Sequence, residues 1–247
     1  MPVTKSEPLA PIRFKSLRAH VHELLRDAII SGRLAPGARL NERQLAAELE
    51  ISTSPLKEAF RQLESEGLLR TESRKGTFVS FSPRQAEEMT LARAALESII
   101  ARQAARHGTE EIFQALRRVI DEMRAALDEA EPARLIALNE AFHDTVHEAS
   151  GCDYLRRLQN SQRLYVHAAR AIVLSTAAER QASFVEHEGI MQAVVARDED
   201  RAERLMREHI MRAGEKHVAL VFLQAGPEAT GAPASAAEAP GPVKAET

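Results

Sequence analysis

Three histidines in the second half of this 247-residue chain have neighbours and spacing suited to metal binding. His143, His187 and His209 fall in three separate segments with helical periodicity, and each segment carries apolar residues close to its histidine. Asn139 precedes His143 by four residues, so these two side chains share one helix face. Imidazole suits Zn, Ni, Fe or Cu, and the pattern therefore predicts a divalent metal site where the three segments meet.

Two other interpretations of these histidines stay open at this point. Single helical histidines are commonly packed or solvated without any ligand. His143 and His147 also form the His-x-x-x-His pair of a metalloprotease helix, but Asp144 follows His143 where that mechanism uses a glutamate base. A metalloenzyme built on the three histidines is the alternative function, with Glu186 and Glu188 as candidate bases.

Composition favours a mainly α protein of the cytoplasm. Hydrophobic residues make up 44% of the chain, but tryptophan is absent and aromatic residues make up only 4%, so the core must be built on aliphatic side chains. The single cysteine, Cys152, excludes an intrachain disulfide and fits a reducing compartment. The first fifteen residues have no apolar run typical of a signal peptide, and no segment approaches the ~18 apolar residues of a membrane helix.

The histidines must be positioned by a helical domain that begins at the Ser82-Pro83 linker. Helical periodicity predicts segments over 84–107, 110–130, 132–150, 153–175, 179–197 and 199–223. Thr109 is a predicted helix cap, and Gly151 a predicted break. Short connections predict an antiparallel bundle of six or seven helices over residues 82–224. Residues 225–247, rich in Ala, Pro, Gly and Glu, are predicted to be disordered.

A different unit precedes the bundle. After a helix predicted over 16–31, residues 41–69 contain two short amphipathic segments, 42–49 and 54–66, joined by a tight turn. Pro55 suits the first turn of the second segment, and Gly67 ends it. This spacing predicts a helix-turn-helix, whose second helix can enter a DNA major groove. Hydroxyls and cations suited to capping or to DNA contact lie at its start and on its polar face, at Ser52, Thr53, Ser54, Lys57 and Arg61.

A basic hairpin follows the helix-turn-helix. Residues 69–81 alternate around a turn whose tip carries Arg74, Lys75 and Gly76, which predicts the wing of a winged helix. Residues 1–80 hold 13 Lys and Arg against 10 Asp and Glu, a net charge of +3, whereas the remainder is net −6. This mild basic excess favours a DNA partner over a protein-interaction adaptor, the remaining alternative.

The stretch from 28 to 69 resembles the amino-terminal domain of the GntR family of bacterial transcription regulators. The matching motifs are Ile-x-x-Gly at 29–32, Leu-x-Pro-Gly-x-x-Leu at 34–40, Leu-Ala-x-x-Leu at 45–49, Ser-x-x-Pro-x-Lys-Glu-Ala at 52–59 and Leu-x-x-x-Gly-Leu at 63–68. The resemblance implies a DNA-binding domain over residues 13–81, after a flexible terminus at 1–12, and a DNA contact by Arg43. Thr53 and Lys57 stand where the family usually has Arg, so operator sequence and affinity are expected to differ from the family norm.

The helical domain resembles the FCD effector domain of the FadR-type branch of that family. That domain carries Asp-x-x-Phe-His on one helix and a His on each of the last two, which implies metal ligation by Asn139, His143, His187 and His209. Asn139 replaces the usual Asp, and its neutral amide is expected to weaken binding or change metal preference. Arg93 matches the Arg of the family's Arg-x-x-Leu-Glu motif. The match implies a contact with a ligand carboxylate, and an ion pair with Glu97 is the alternative.

We therefore expect a homodimeric DNA-binding transcription regulator and not an enzyme. Its operator affinity is expected to respond to a small organic acid bound at or near a divalent metal in the helical domain. No membrane partner is expected.

Overall fold

The computed structural model of the protein describes residues 17–129, 131–160 and 163–223, and within them the chain is mainly helical with one small sheet. This confirms the predicted fold class. The predicted flexible terminus at 1–12 and the predicted disordered tail at 225–247 lie outside the described residues. None of the described helices is both long and apolar enough to cross a membrane.

The amino-terminal unit, residues 17–81, is called the head below. Its elements in chain order are α1 (Leu17–Ile30), β1 (Arg39–Leu40), α2 (Glu42–Glu48), α3 (Thr53–Ser65), β2 (Leu69–Glu72) and β3 (Gly76–Val79). Strand β3 lies between β1 and β2 in an antiparallel sheet, with Thr77 opposite Leu40 on one side and opposite Thr71 on the other. The predicted helix-turn-helix and its wing are both present.

The ends of α3 follow the sequence signals only in part. Ser52 occupies the position before the helix, but its side chain makes no capping hydrogen bond, so the predicted capping role is wrong for Ser52. Thr53 and Ser54 already lie in the first helical turn. Gly67 ends the helix as predicted, because its φ of +75° is a conformation that glycine adopts without strain.

The remaining described helices form the helical domain. They are α4 (Pro83–His107), α5 (Glu110–Asp128), α6 (Pro132–Ala149), α7 (Asp153–Asn160), α8 (Arg163–Val173), α9 (Ala177–Val195) and α10 (Glu199–Val218), and a π-helical turn (Ala219–Leu223) follows α10. Helix α7 packs on α4, and α8 packs on α1 and α10. The segment predicted over 153–175 is helical in both of these parts, and residues 161–162 between them lie outside the described residues.

The head and the helical domain share a packed core. Phe81 is fully buried, and its ring centroid lies 6.1 Å from that of Tyr165 on α8 and 5.5 Å from that of Phe222. Val166 and Ala168 belong to the same apolar cluster as the buried residues of α1 and α3. The domain boundary at 81/82 stays a prediction, and α8 of the helical domain packs on α1 of the head.

Helices α4 and α10 approach closely because α10 carries a glycine at their contact. A Cβ added at Gly214 would lie 2.2 Å from Cγ2 of Thr90 on α4. At Gly189 on α9, by contrast, an added Cβ would meet only Cδ1 of Leu205 at 3.8 Å, an ordinary van der Waals distance.

We expect Gly214→Ala to lower the free energy of unfolding by about 1–3 kcal/mol, because the new methyl group forces α4 and α10 apart. The matched control is Gly189→Ala, which should raise stability by about 0.5–1 kcal/mol because alanine favours a helix over glycine. Urea unfolding monitored by circular dichroism measures both changes. Wild-type or higher stability of Gly214→Ala would contradict the close packing of α4 on α10.

Candidate functional site

The residues predicted to contact DNA are all exposed or partly exposed on the head. They are Arg43 on α2, Ser52, Thr53, Ser54, Lys57 and Arg61 at the start and along the outer face of α3, and Arg74, Lys75 and Gly76 at the wing. The opposite face of α3 is buried through Leu56, Ala59, Phe60 and Leu63. Burial of the apolar face therefore orients the hydroxyls and cations outward.

Helix α2 lies between α3 and the wing and is close to both. Lys57 Nζ lies 3.9 Å from Glu42 Oε2, which brings the outer face of α3 beside the start of α2. Arg43 and Gly76 line one surface groove together with Arg39 of β1. Arg39 is a cation that the sequence argument missed, although it lies in the Leu-x-Pro-Gly-x-x-Leu motif. The sheet places its Nε 3.0 Å from where a Cβ of Gly76 would be.

The three predicted histidines meet in the interior of the helical domain. His143 on α6, His187 on α9 and His209 on α10 are all buried, and one ring nitrogen from each lies within 4.8 Å of the other two. Their ring centroids are 4.5 to 5.5 Å apart. This cluster is called the histidine centre below.

Two carboxylates orient the histidine centre. His143 Nδ1 lies 2.6 Å from Glu97 Oε2, and His209 Nδ1 lies 2.7 Å from Glu186 Oε2. A carboxylate oxygen only accepts hydrogen bonds, so each Nδ1 carries the hydrogen and donates it. In the neutral rings Nε2 is then left with a free lone pair, which is the arrangement that metal-ligating histidines use.

The orphaned nitrogens of the centre fit a metal. His143 Nε2 and both ring nitrogens of His187 are buried and have no hydrogen-bond partner in the structure. Burial lowers the pKa of His143 and of His187 well below 6.5 and lowers the pKa of His209 as well. Neutral imidazole is the protonation state that binds a cation, so the residues present are suited to hold one.

Asn139 lies one helical turn before His143 and is also buried. Its Nδ2 donates to Ser183 Oγ at 3.4 Å, whereas its Oδ1 is buried and without a hydrogen-bond partner. An amide oxygen in that state is available as a ligand, but its role in the metal site stays a prediction.

The candidate bases of the metalloenzyme alternative, and the second histidine of the metalloprotease-like pair, lie beside charged side chains of the protein. Glu186 accepts from Arg212 Nη2 at 2.8 Å as well as from His209, and Glu188 pairs with Arg124. His147 is buried with its Nε2 3.5 Å from Glu97, so the His-x-x-x-His pair faces a carboxylate from another helix.

A partly open cavity adjoins the histidine centre. Its polar lining residues are Thr90, Arg93, Asn139, Tyr165, Arg170, Ser183, His209, Arg212 and His217. Arg93 Nε donates to Glu97 Oε1 at 2.8 Å, so the ion pair with Glu97 is present in the same side chain that lines the cavity. Tyr165, Arg170 and Ser183 were missed by the sequence argument, because only the tertiary fold brings their helices to this wall.

The wall of this cavity also contacts the head. His217 Nε2 donates to the backbone oxygen of Ile30, the last residue of α1, at 3.2 Å. With the hydrogen on Nε2, the Nδ1 of His217 accepts from the hydroxyl of Tyr165 at 3.5 Å. Two cavity residues are thus linked to the carboxyl-terminal end of α1.

A winged helix-turn-helix with a polar, basic outer face, packed against a helical domain with an internal cavity, defines a DNA-binding transcription regulator. The family models agree with that class. Residues 17–79 match the bacterial regulatory proteins of the gntR family, and residues 88–212 match the FCD domain. The chain belongs to the GntR family and carries an FCD domain. It is a transcription regulator and not an enzyme, so the metalloenzyme alternative is wrong.

Similar proteins give the same class. The chain is 28% identical to the uncharacterized regulator YdhC of Bacillus subtilis over 78% of this chain and 88% of that one. It is 24% identical to the repressor RspR of Escherichia coli, covering 86% of this chain and 91% of that one. It is 30% identical to the Nta operon transcriptional regulator of Aminobacter aminovorans, covering 74% and 86%.

A solved structure shows the same fold. McbR/YncC of E. coli superposes with a TM-score of 0.59 at 21% identity, covering 85% of this chain and 99% of that one.

Proposed function

We propose that this regulator changes its operator affinity when a small organic acid binds in the cavity of the helical domain. The observation that carries the proposal is the position of Arg93, a buried guanidinium in the cavity wall beside the histidine centre. A guanidinium binds a carboxylate through paired hydrogen bonds, and burial strengthens that attraction. RspR and the Nta operon regulator are named as regulators of transcription, and we assign control of an operon to this chain as well.

A divalent metal held by His143, His187 and His209, with Asn139 as a weaker fourth ligand, is part of the proposed site. The support is the set of unpartnered buried nitrogens together with the Glu97 and Glu186 carboxylates that orient two of the rings. A bound cation would supply positive charge to which the carboxylate of the acid is attracted.

The acid is proposed to act on the head through His217. Its hydrogen bond to Ile30 joins the cavity wall to α1, and α1 packs on α3. A ligand that displaces the Tyr165 hydroxyl or the His217 ring shifts the end of α1, and with it the orientation of the outer face of α3.

Two copies of the chain are proposed to bind a two-fold symmetric operator, because one winged helix covers a short length of DNA. Helix α4 offers a surface for that assembly. Leu91, Ala95 and Ile99 are spaced by four residues along one face of α4 and are all exposed, Leu91 by 56% and Ile99 by 38%. An exposed apolar stripe of this kind is typical of a helix that packs against a partner.

The DNA contact of Lys57 is tested by Lys57→Ala on a genomic fragment selected by the purified protein. If Lys57 contacts a base, binding should weaken by ~1–3 kcal/mol, and if it contacts a phosphate, the salt dependence should fall by about one unit of slope. The control is Arg118→Ala, which removes one positive charge from an exposed position on α5. Wild-type affinity of Lys57→Ala at every salt concentration would remove Lys57 from the interface.

The dimer surface is tested by Leu91→Glu, which places a charge in the apolar stripe. Sedimentation velocity at micromolar concentration should show a dimer for the wild type and a monomer for the variant. Val185→Glu is the matched control, because Val185 is equally exposed, at 56%, but lies on α9. A monomeric wild type, with and without DNA, would overturn the proposed assembly.

The metal site is tested by elemental analysis of protein purified without chelator. His187→Ala should lose stoichiometric metal and the thermal stabilisation by added Zn²⁺ or Ni²⁺, whereas His107→Ala, an exposed control at the end of α4, should keep both. Asn139→Asp should tighten metal binding because it adds a negative charge.

Since the pKa of each of the three histidines is below 6.5, metal should be retained at pH 6.5 and released at lower pH. Absence of metal from the wild type would end this part of the proposal.

A further inference from the structure

The cavity beside the histidine centre has an unusual balance of charge. The described residues that line it include three arginines, Arg93, Arg170 and Arg212, and no aspartate or glutamate. Because the charged groups among these lining residues are all cations, the cavity attracts anions. Three arginines are more than one ligand carboxylate needs. Which class of anion fits therefore depends on which of the three guanidiniums already has an acidic partner in the protein.

Two of the three arginines have acidic partners just outside the cavity. Arg93 donates through Nε to Glu97 at 2.8 Å. Arg212 donates through Nη2 to Glu186 at 2.8 Å and is also paired with Glu179. Their positions in the wall are therefore held by protein carboxylates whether or not a ligand is present.

Arg170 on α8 is in a different state. Its Nε is buried and has no hydrogen-bond partner among the described residues. Burial lowers the pKa of Arg170 to about 9 and the positive charge of Arg93 acts in the same direction, whereas the carboxylates of Glu97, Glu140 and Asp144 act against it. With that pKa, Arg170 still carries its charge at neutral pH, and its buried Nε stays an unsatisfied donor until an acceptor arrives.

The other lining groups suit a short, polar, acidic molecule. Thr90, Tyr165 and Ser183 place hydroxyl groups in the wall, and Ala169 and Val173 supply apolar surface beside Arg170. A single carboxylate at Arg93 leaves the Nε of Arg170 without an acceptor, whereas a second carboxylate on the same ligand can accept from it.

We propose that Arg170 is a second anion anchor and that the effector is a short dicarboxylate, with one carboxylate at the Arg93 and His209 side and the other at Arg170. This assignment rests on the proposed function, since it narrows the class of acid that the cavity takes. It also names a binding residue on α8, outside the helices that carry Arg93 and the three histidines.

The test compares acids of equal chain length on the full, metal-loaded protein by isothermal titration calorimetry at constant ionic strength. The pairs are butyrate with succinate and pentanoate with glutarate. The wild type should bind each diacid at least about tenfold more tightly than its monoacid partner, as expected for one additional hydrogen-bonded ion pair. In Arg170→Gln the diacids should lose about tenfold or more in affinity, whereas the monoacids should stay within about twofold of the wild type.

Two further variants keep the comparison interpretable. Arg170→Lys retains the charge but not the planar donor pair, so it should bind diacids with an affinity between those of the wild type and Arg170→Gln. Arg118→Gln removes an exposed charge on α5 and should leave both classes of acid unchanged. Thermal unfolding of each variant verifies that the fold is intact, and if Arg170→Gln does not fold, the wild-type preference together with Arg170→Lys decides the question.

The outcomes separate this inference from the function on which it rests. Equal affinity of the wild type for diacids and monoacids, or an equal loss of both in Arg170→Gln, overturns Arg170 as the second anchor while leaving an acid-responsive regulator in place. Absence of binding by every acid, with no effect on DNA affinity, overturns both.

Discussion

The buried carboxylate of Glu97 is the interaction on which the helical domain depends. It is fully buried on α4, accepts from Arg93 on the same helix and from Gln159 on α7, and accepts from His143 on α6. Burial opposes its ionisation, but His143 and the Arg93 guanidinium hold the pKa of Glu97 well below 4.5, so it keeps its charge. One charge thus ties three helices together, because a buried carboxylate is stable only while its donors stay in place.

The same carboxylate sets the chemistry around it. Because Glu97 takes the hydrogen of His143 Nδ1, the lone pair of His143 Nε2 points away from it, on the side of His187 and His209. Because Glu97 also holds Arg93, that guanidinium keeps a fixed position in the cavity wall. Glu186 likewise accepts hydrogen bonds from His209 Nδ1 and from Arg212 Nη2, and so fixes both side chains. The histidine centre and the arginines of the cavity wall are therefore positioned by a shared set of acidic residues.

Contacts between the head and the helical domain join the cavity wall to the DNA-binding unit. Helix α8 carries Tyr165 and Arg170 on the cavity wall, and its Val166 and Ala168 pack in the core of the head. His217 adds a hydrogen bond from α10 to the last residue of α1. The ligand proposed to bind at Arg170 would act on a helix that already packs on α1 of the head.

Local patterns in the sequence were sufficient for the elements of the head. Spacings around Pro55 and Gly67 predicted the helix-turn-helix, and alternation around the turn at Gly76 predicted the wing, because turns and helix ends depend on a few adjacent residues. The capping role of Ser52 was wrong, since a residue suited to a position does not have to form the hydrogen bond that the position allows.

Sequence by itself also determined which residues of the helical domain could bind a metal. His143, His187 and His209 were identified from spacing and resemblance, and the fold brings them together. Only the tertiary structure decided their tautomers, the burial that keeps them neutral, and the presence of Arg170 in the cavity. Those properties arise from contacts between helices far apart in the chain, whose crossing angles and neighbours are set by packing of the whole core, and no local periodicity encodes them.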